Sequence, residues 1–231
     1  MDDLIIEFCN GIAESAEYFT SFMFAIVNNN LVKGGVIVAI LWYLWFDERS
    51  NNLAGQTQIM KTLFSSVIAI VTGRALNNLL PYKPRPILNP EYDFSYQADD
   101  LSWLNQYSSF PSDHALLFFA LATGIFLVSK KWGIVSYTYV LVVICFPRVY
   151  LGFHYFTDIV AGAVVGIAIT LIVSRLKLSK ILAEKVIELS ERYPGISYAI
   201  FFVLSYQMAT LFTDARELIN STLNGILKIF G

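Results

Sequence analysis

Six apolar runs, at 31–46, 61–80, 115–129, 132–147, 158–174 and 194–213, leave this 231-residue chain few ways to fold. A helix needs about 17–25 mostly apolar residues to cross a bilayer. The runs predict an all-α integral membrane protein with six transmembrane helices. The first, third and fourth runs are short, so their helices must extend into flanking residues. The charge content agrees: 15% of residues are charged and 56% hydrophobic, where a soluble domain carries about 25% charged residues. Charge is scarce where burying it in hydrocarbon is costly.

Three amphipathic stretches flank the spans. In residues 1–30, Ile5, Ile12, Phe19, Met23 and Ile26 recur at helical spacing, with Glu7, Glu14 and Glu17 on other faces. The stretch reads as an interfacial helix. Residues 178–192 set Ile181, Val186, Ile187 and Leu189 among Lys and Glu, and 215–230 repeats the pattern. The expected division is an interfacial segment at 1–30, a six-helix membrane domain at 31–213 and a C-terminal amphipathic helix at 214–231. The start of the chain, MDDLIIEFCNG, lacks the basic n-region of a signal peptide, so the spans themselves are expected to direct insertion. A net charge of -2 argues against nucleic acid as a partner, because a phosphate backbone demands a basic surface. Cys9 and Cys145 lie far apart and form no CxxC spacing, so neither a disulfide framework nor a zinc site is expected.

Between the second and third spans, residues 81–110 form a long loop rich in aromatics, Pro, Asn and Asp. Loops of this length are often functional. On the opposite side lie Arg49, Lys61, Lys130, Lys131, Arg175, Lys177, Lys180, Lys185 and Arg192. The loop side holds Lys33, Arg74, Lys83, Arg85, Arg148, Arg216 and Lys228. Four of these, Arg74, Lys83, Arg85 and Arg148, sit near the chemistry described next and have another reason to exist. By the positive-inside rule the other side is cytoplasmic. The long loop then faces the periplasm or cell exterior, as in a bacterial inner-membrane protein.

The chain has only two histidines, His114 and His154. A histidine beside an apolar segment is usually structural, but three motifs surround these two. Tyr82-Lys83-Pro84-Arg85-Pro86 ends the second span, and Pro111-Ser112-Asp113-His114 opens the third. Arg148-(x5)-His154-(x3)-Asp158 bridges the fourth and fifth. Because spans alternate direction, all three return to one membrane face. The residue types suit phosphoryl transfer, which is mainly positioning and charge stabilisation. Arginine forks bind phosphate oxygens. Pro111 suits a first helical turn, whose N–H groups can point at an anion, and Ser112 adds a hydroxyl. His154 and Asp158 are four apart, so Asp158 can accept one ring N–H and free the other nitrogen to attack. His114 can protonate the leaving oxygen. By this reading Asp158 raises the pKa of His154, and the two histidines give a bell-shaped rate profile.

These motifs resemble those of the type 2 phosphatidic acid phosphatase superfamily, which run Lys-(x6)-Arg-Pro, Pro-Ser-Gly-His and Ser-Arg-(x5)-His-(x3)-Asp. The resemblance covers about residues 61–174. It implies a six-helix core and a metal-free, cofactor-free phosphohistidine mechanism. It also implies phosphate binding by Arg85, Arg148 and Ser112, acid catalysis by His114, nucleophilic attack by His154 and orientation by Asp158. Three positions depart from the pattern. Asn78 stands seven before Arg85, where the family has lysine, so Lys83 or Arg74 must supply the missing cation. Asp113 replaces glycine, and either complements the helix N-terminus or pairs with Lys83. Pro147 replaces serine. Undecaprenyl diphosphate phosphatases that resemble this family can also carry Pro-Ser-Asp-His.

The expected substrate is a lipid phosphate or diphosphate drawn from the surrounding membrane lipids. Polyprenyl diphosphate is favoured, with phosphatidic acid and phosphatidylglycerophosphate as further candidates. A vanadium haloperoxidase would share the motifs, but six apolar spans argue against a soluble oxidoreductase. A lipid phosphotransferase would differ only in its acceptor. A lipid transporter would place charges mid-span, whereas here they gather at one end.

Overall fold

The computed structural model describes residues 1–48, 52–92, 94, 104, 107–213, 215, 218 and 221–222. The expected C-terminal amphipathic helix and much of the long loop fall outside them. Among the described residues the regular elements are all helices, with no strand. In chain order the helices are α1 (Asp2–Ser15), α2 (Glu17–Asn28), α3 (Leu31–Phe46), α4 (Leu53–Leu79) and α5 (Asp113–Val128). They continue as α6 (Lys130–Tyr150), α7 (Phe156–Arg175), α8 (Lys177–Arg192) and α9 (Pro194–Ala209).

Among the described residues three helices, α4, α6 and α7, are long and apolar enough to cross a membrane. A fourth candidate span is the pair α2 and α3, bent by 67° at the break between them. The expected third and sixth spans form helices α5 and α9 of 16 residues each. At 1.5 Å per residue each reaches about 24 Å, less than the roughly 30 Å of a hydrocarbon core. Large apolar side chains such as Val71 on α4 and Val164 and Ile172 on α7 remain exposed. That is the surface a lipid solvent accepts. The chain is an integral membrane protein.

Helix α5 is the centre of the bundle. Every residue from Ala115 to Ile125 is buried, and α4, α6 and α7 pack around it. Lipid tails are as apolar as leucine, so such packing depends on close approach of backbones and on interhelical hydrogen bonds. Gly162 and Gly166, one turn apart on α7, provide the approach. A Cβ at Gly162 would lie 2.6 Å from the Ser112 carbonyl oxygen, and one at Gly166 would overlap the Leu116 carbonyl. Thr170 supplies the bond, donating to the Ala120 carbonyl at 3.1 Å with the Ser65 hydroxyl 3.2 Å away. This crossing seats the start of α7 beside the start of α5.

Helix α6 runs past Pro147, where the apolar run alone would end it. A π-helical turn at Val140–Cys145 precedes the proline and widens the helix where a regular α-turn would clash with its ring. Arg148 therefore sits on the last helical turn rather than in a loop. The amphipathic faces also differ from the simple pattern. On α1 and α2 the buried stripe is Ile6, Cys9 and Ala13, then Thr20, Met23 and Val27, while Phe19 is exposed. The stripe packs on Tyr150, Leu151 and Phe153, so this segment braces the end of α6. On α8 the buried residues are Ser179, Ala183, Ile187 and Ser190, and Ile181 and Leu189 face outward.

Candidate functional site

The hinge of the site is a helix ending. Gly152 has φ +64°, a left-handed conformation open to glycine at little cost. Its N–H donates to the Val149 carbonyl at 3.1 Å, and the Phe153 N–H donates to the Arg148 carbonyl at 2.8 Å. This is a Schellman ending. It turns the chain sharply enough for His154 to face back over the end of α6, with its own N–H 3.2 Å from the same Arg148 carbonyl. The glycine between Arg148 and His154 was a legible turn signal that motif spacing alone passes over.

His154 is 4% exposed, and its two ring nitrogens have unlike neighbours. Nδ1 lies 2.9 Å from the Ser109 carbonyl oxygen, and Nε2 lies 3.2 Å from Nη1 of Arg85. A carbonyl only accepts and a guanidinium only donates. The hydrogen therefore sits on Nδ1, and the Nε2 lone pair points towards Arg85. Asp158, expected to hold this ring, is 3.7 Å from Nδ1 and makes no direct hydrogen bond by distance. Its fully buried carboxylate accepts instead from the Ser109 hydroxyl, from Lys83 Nζ at 2.8 Å and from the Tyr155 N–H at 2.9 Å. Asp158 thus fixes Ser109 through its side chain, and Ser109 fixes His154 through its backbone.

The expected rise in the pKa of His154 is corrected by burial. Desolvation disfavours the imidazolium and the Arg85 charge adds to it; the Asp158 carboxylate opposes both without cancelling them. The pKa is pushed down to about 4. Arg85 is likewise lowered by burial, with Asp113 and Asp158 working the other way. It is anchored by bonds to the Phe153 carbonyl at 2.8 Å and the Leu104 carbonyl at 3.3 Å.

A cavity of about 370 Å³ opens in front of these groups. His154, His114, Arg85 and Arg148 all line it, so the three sequence motifs do converge. Arg148 is 2% exposed and bonds the Ile144 carbonyl one turn back. His114 packs its ring near Phe118, with centroids 6.4 Å apart. The remaining expected site residues stand elsewhere. Ser112 is fully buried and caps α5, accepting from the Ala115 N–H at 3.4 Å, while its own N–H donates to the Asp158 carbonyl at 3.2 Å. Pro111 consequently precedes the cap and is not in the first turn. Lys83 is committed to Asp158 and lies over the Tyr155 ring at 4.0 Å. Asn78 is exposed and away from the cavity.

Two residues of α4 do reach the cavity. Asn77 donates to the Pro111 carbonyl and to Asp113, both at 3.2 Å. Arg74 forms an ion pair with Asp113 at 2.7 Å and stacks on Tyr107. Asp113 therefore pairs with Arg74 and not with Lys83. Counting seven residues back from Arg85 lands one position, about 100° of helix rotation, away from the face that lines the site. Lys33, from the first turn of α3, also lines the cavity.

The arrangement provides a desolvated imidazole whose Nε2 faces the Arg85 guanidinium, a second imidazole and, among the described residues, four cations around one cavity. Its residues fall within the match to the family model described as the PAP2 superfamily, which covers residues 58–181; Lys33 alone of those cations lies outside it. Among curated proteins, YbjG of Escherichia coli (strain K12), assigned provisionally by its name to the undecaprenyl-diphosphatases, is 26% identical over 68% of this chain and 73% of its own. The undecaprenyl-diphosphatase of Sulfolobus acidocaldarius is 31% identical over 45% of this chain and 48% of its own. The bacitracin transport permease protein BcrC of Bacillus licheniformis is 28% identical over 56% and 59%. No solved structure matches the chain. With the family model spanning more than half of its length, this chain belongs to the PAP2 superfamily and is a membrane lipid phosphatase that resembles the undecaprenyl-diphosphatases.

Proposed function

We propose that this protein removes the terminal phosphate of a polyprenyl diphosphate through a phosphohistidine on His154. The observation that carries the reading is the tautomer of that ring. The Ser109 carbonyl holds Nδ1–H, and Nε2 presents its lone pair beside the Arg85 guanidinium. Nε2 attacks the terminal phosphorus, and the bond from that phosphorus to the bridging oxygen breaks. The bridging oxygen leaves with the lipid monophosphate and takes a proton from His114. Water then attacks the phosphohistidine, returns a proton to His114 and releases inorganic phosphate. Arg85 and Arg148 bind the equatorial oxygens, where charge stabilisation lowers the barrier. Asp158, Ser109 and Lys83 act as positioning residues, and Ser112 shapes the helix start beside them. No step is assigned to a metal or a cofactor.

The lipid substrate class is supported by the names of the similar proteins and by a site at the ends of apolar helices. We read the chain as crossing the membrane six times, with the site on the periplasmic or exterior face of a bacterial inner membrane; the Lys and Arg residues of the short opposite loops support that side. The test is a rapid-quench reaction with lipid diphosphate labelled in its terminal phosphate. Acid-labile, base-stable label should appear on the wild type and map to His154. Turnover without such label on a competent enzyme would overturn the mechanism.

A further inference from the structure

The turn that carries His154 is held from outside by α1. Cys9 and Ala13 of that helix pack with Tyr150, Leu151 and Phe153, just before the histidine. The acidic first turn of the same helix, Asp2 and Asp3, reaches the residues just after it. Asp2 accepts two bonds from Thr157: Oδ1 takes the backbone N–H at 3.2 Å, and Oδ2 takes the side-chain hydroxyl at 2.6 Å. Asp3 accepts from the Tyr92 hydroxyl, and the Tyr92 ring meets the Tyr155 ring edge-on with centroids 6.4 Å apart. Helix α1 thus grips the chain on both sides of His154.

The need for Asp2 lies in the start of α7. The first N–H groups of a helix lack partners within it. Here the N-cap residue is Tyr155, not one of the short polar types that favour that position. Asp158 serves the Tyr155 N–H from the third helical position. Asp2 serves the Thr157 N–H from a different helix, and its carboxylate also complements the helix dipole. Thr157 then connects Asp2 to the groups that hold the nucleophile. Its hydroxyl oxygen lies 3.5 Å from Lys83 Nζ, which bonds Asp158 at 2.8 Å. Asp158 accepts from the Ser109 hydroxyl, and the Ser109 carbonyl takes Nδ1–H of His154. Loss of the Asp2 carboxylate would release both Thr157 donors and leave the turn that contains Asp158 without this outside anchor.

We propose that Asp2 is a positioning residue for the nucleophile: by tethering Thr157 it fixes the start of α7 and, through Asp158 and Ser109, the ring of His154. This rests on the hydrolase reading above and deepens it, because the step that the tether serves is attack by His154. Asp3 and Tyr92 back the same turn through Tyr155. The tether comes from outside the stretch that matches the family model, which begins at residue 58.

The test pairs kinetics with amide hydrogen exchange on the protein in detergent micelles. With farnesyl diphosphate as substrate, Asp2→Ala should lower kcat about fivefold, the effect of a slightly misplaced reacting group, while KM stays within about twofold. Single-turnover rapid quench should show label reaching His154 more slowly by the same factor. Thr157→Val, which removes the hydroxyl that Asp2 holds, should lose part of that rate. The double variant should lose no more than Asp2→Ala alone, because members of one network do not act additively. Losses that multiply would overturn the tether, as would wild-type kcat in a folded Asp2→Ala. Exchange in Asp2→Ala should quicken at the amides of residues 153–159 and stay unchanged along α5. Faster exchange in both places would mark general loosening and overturn it too. The local exchange signature in a protein whose wild type hydrolyses no lipid would overturn the hydrolase reading while leaving the tether standing.

Discussion

The carboxylate of Asp158 stands 3.7 Å from Nδ1 of His154, and the hydroxyl and backbone carbonyl of Ser109 fill the space between their functions. Asp158 orients the histidine through an intermediary. A backbone carbonyl is a neutral acceptor, so it fixes the tautomer without drawing the ring towards the imidazolium as a directly bonded carboxylate would. The ring stays neutral, with its Nε2 lone pair turned to the Arg85 guanidinium.

This relay predicts a graded series of variants. His154→Ala should abolish turnover. His114→Ala should lose about 10²–10⁴-fold, the usual contribution of a general acid. Asp158→Asn should lose less than His154→Ala. Ser109→Ala keeps the carbonyl but loses its tether, so we expect a fall of about tenfold in kcat, the effect of loosening a pre-organised group. Steady-state rates on one lipid diphosphate check the order. Wild-type kcat in Ser109→Ala would remove Ser109 from the relay.

The pH profile follows from the depressed pKa of His154, about 4. Above that value the ring is neutral and can attack; as pH falls through it, the ring is protonated and the rate is lost. The acid limb of kcat/KM should therefore lie near pH 4, well below the ordinary histidine value of about 6.5. The Arg85 charge contributes to the depression, so in Arg85→Gln the residual activity should show its acid limb moved upward. An acid limb at pH 6.5 in the wild type would show that burial does not control this group.

Activity should survive a chelator, because the proposed mechanism assigns charge neutralisation to arginine and lysine side chains. Vanadate should inhibit by occupying the phosphate site as a trigonal-bipyramidal mimic. Loss of activity in chelator, restored by magnesium, would contradict the mechanism.

Sidedness can be read from single cysteines in a background lacking Cys9 and Cys145. Glu91 is exposed near the site, and Lys131 is exposed at the opposite end of α6. Cysteine at Glu91 should react with an impermeant thiol reagent in intact cells, and cysteine at Lys131 only after lysis. Short loops carrying Lys and Arg stay on the cytoplasmic side; the reverse labelling pattern would place the site in the cytoplasm.

Much of this protein is written locally. The apolar runs specify helices because a chain in lipid must satisfy its own backbone. The residues around His114, Arg148 and His154 announce phosphate chemistry because few side chains can perform it. Their convergence on one cavity was legible from alternating span direction alone. What required the tertiary structure was every relationship set by rotation or by a neighbour distant in sequence. Asn77 and Arg74 line the site where Asn78 does not, because helix phase decides which side chain faces inward. Lys83 serves Asp158, while Arg74 serves Asp113, a choice between cations that spacing leaves open. The low pKa of His154 is a property of burial. The carbonyl that holds its ring belongs to Ser109, whose backbone oxygen has no signature in any sequence.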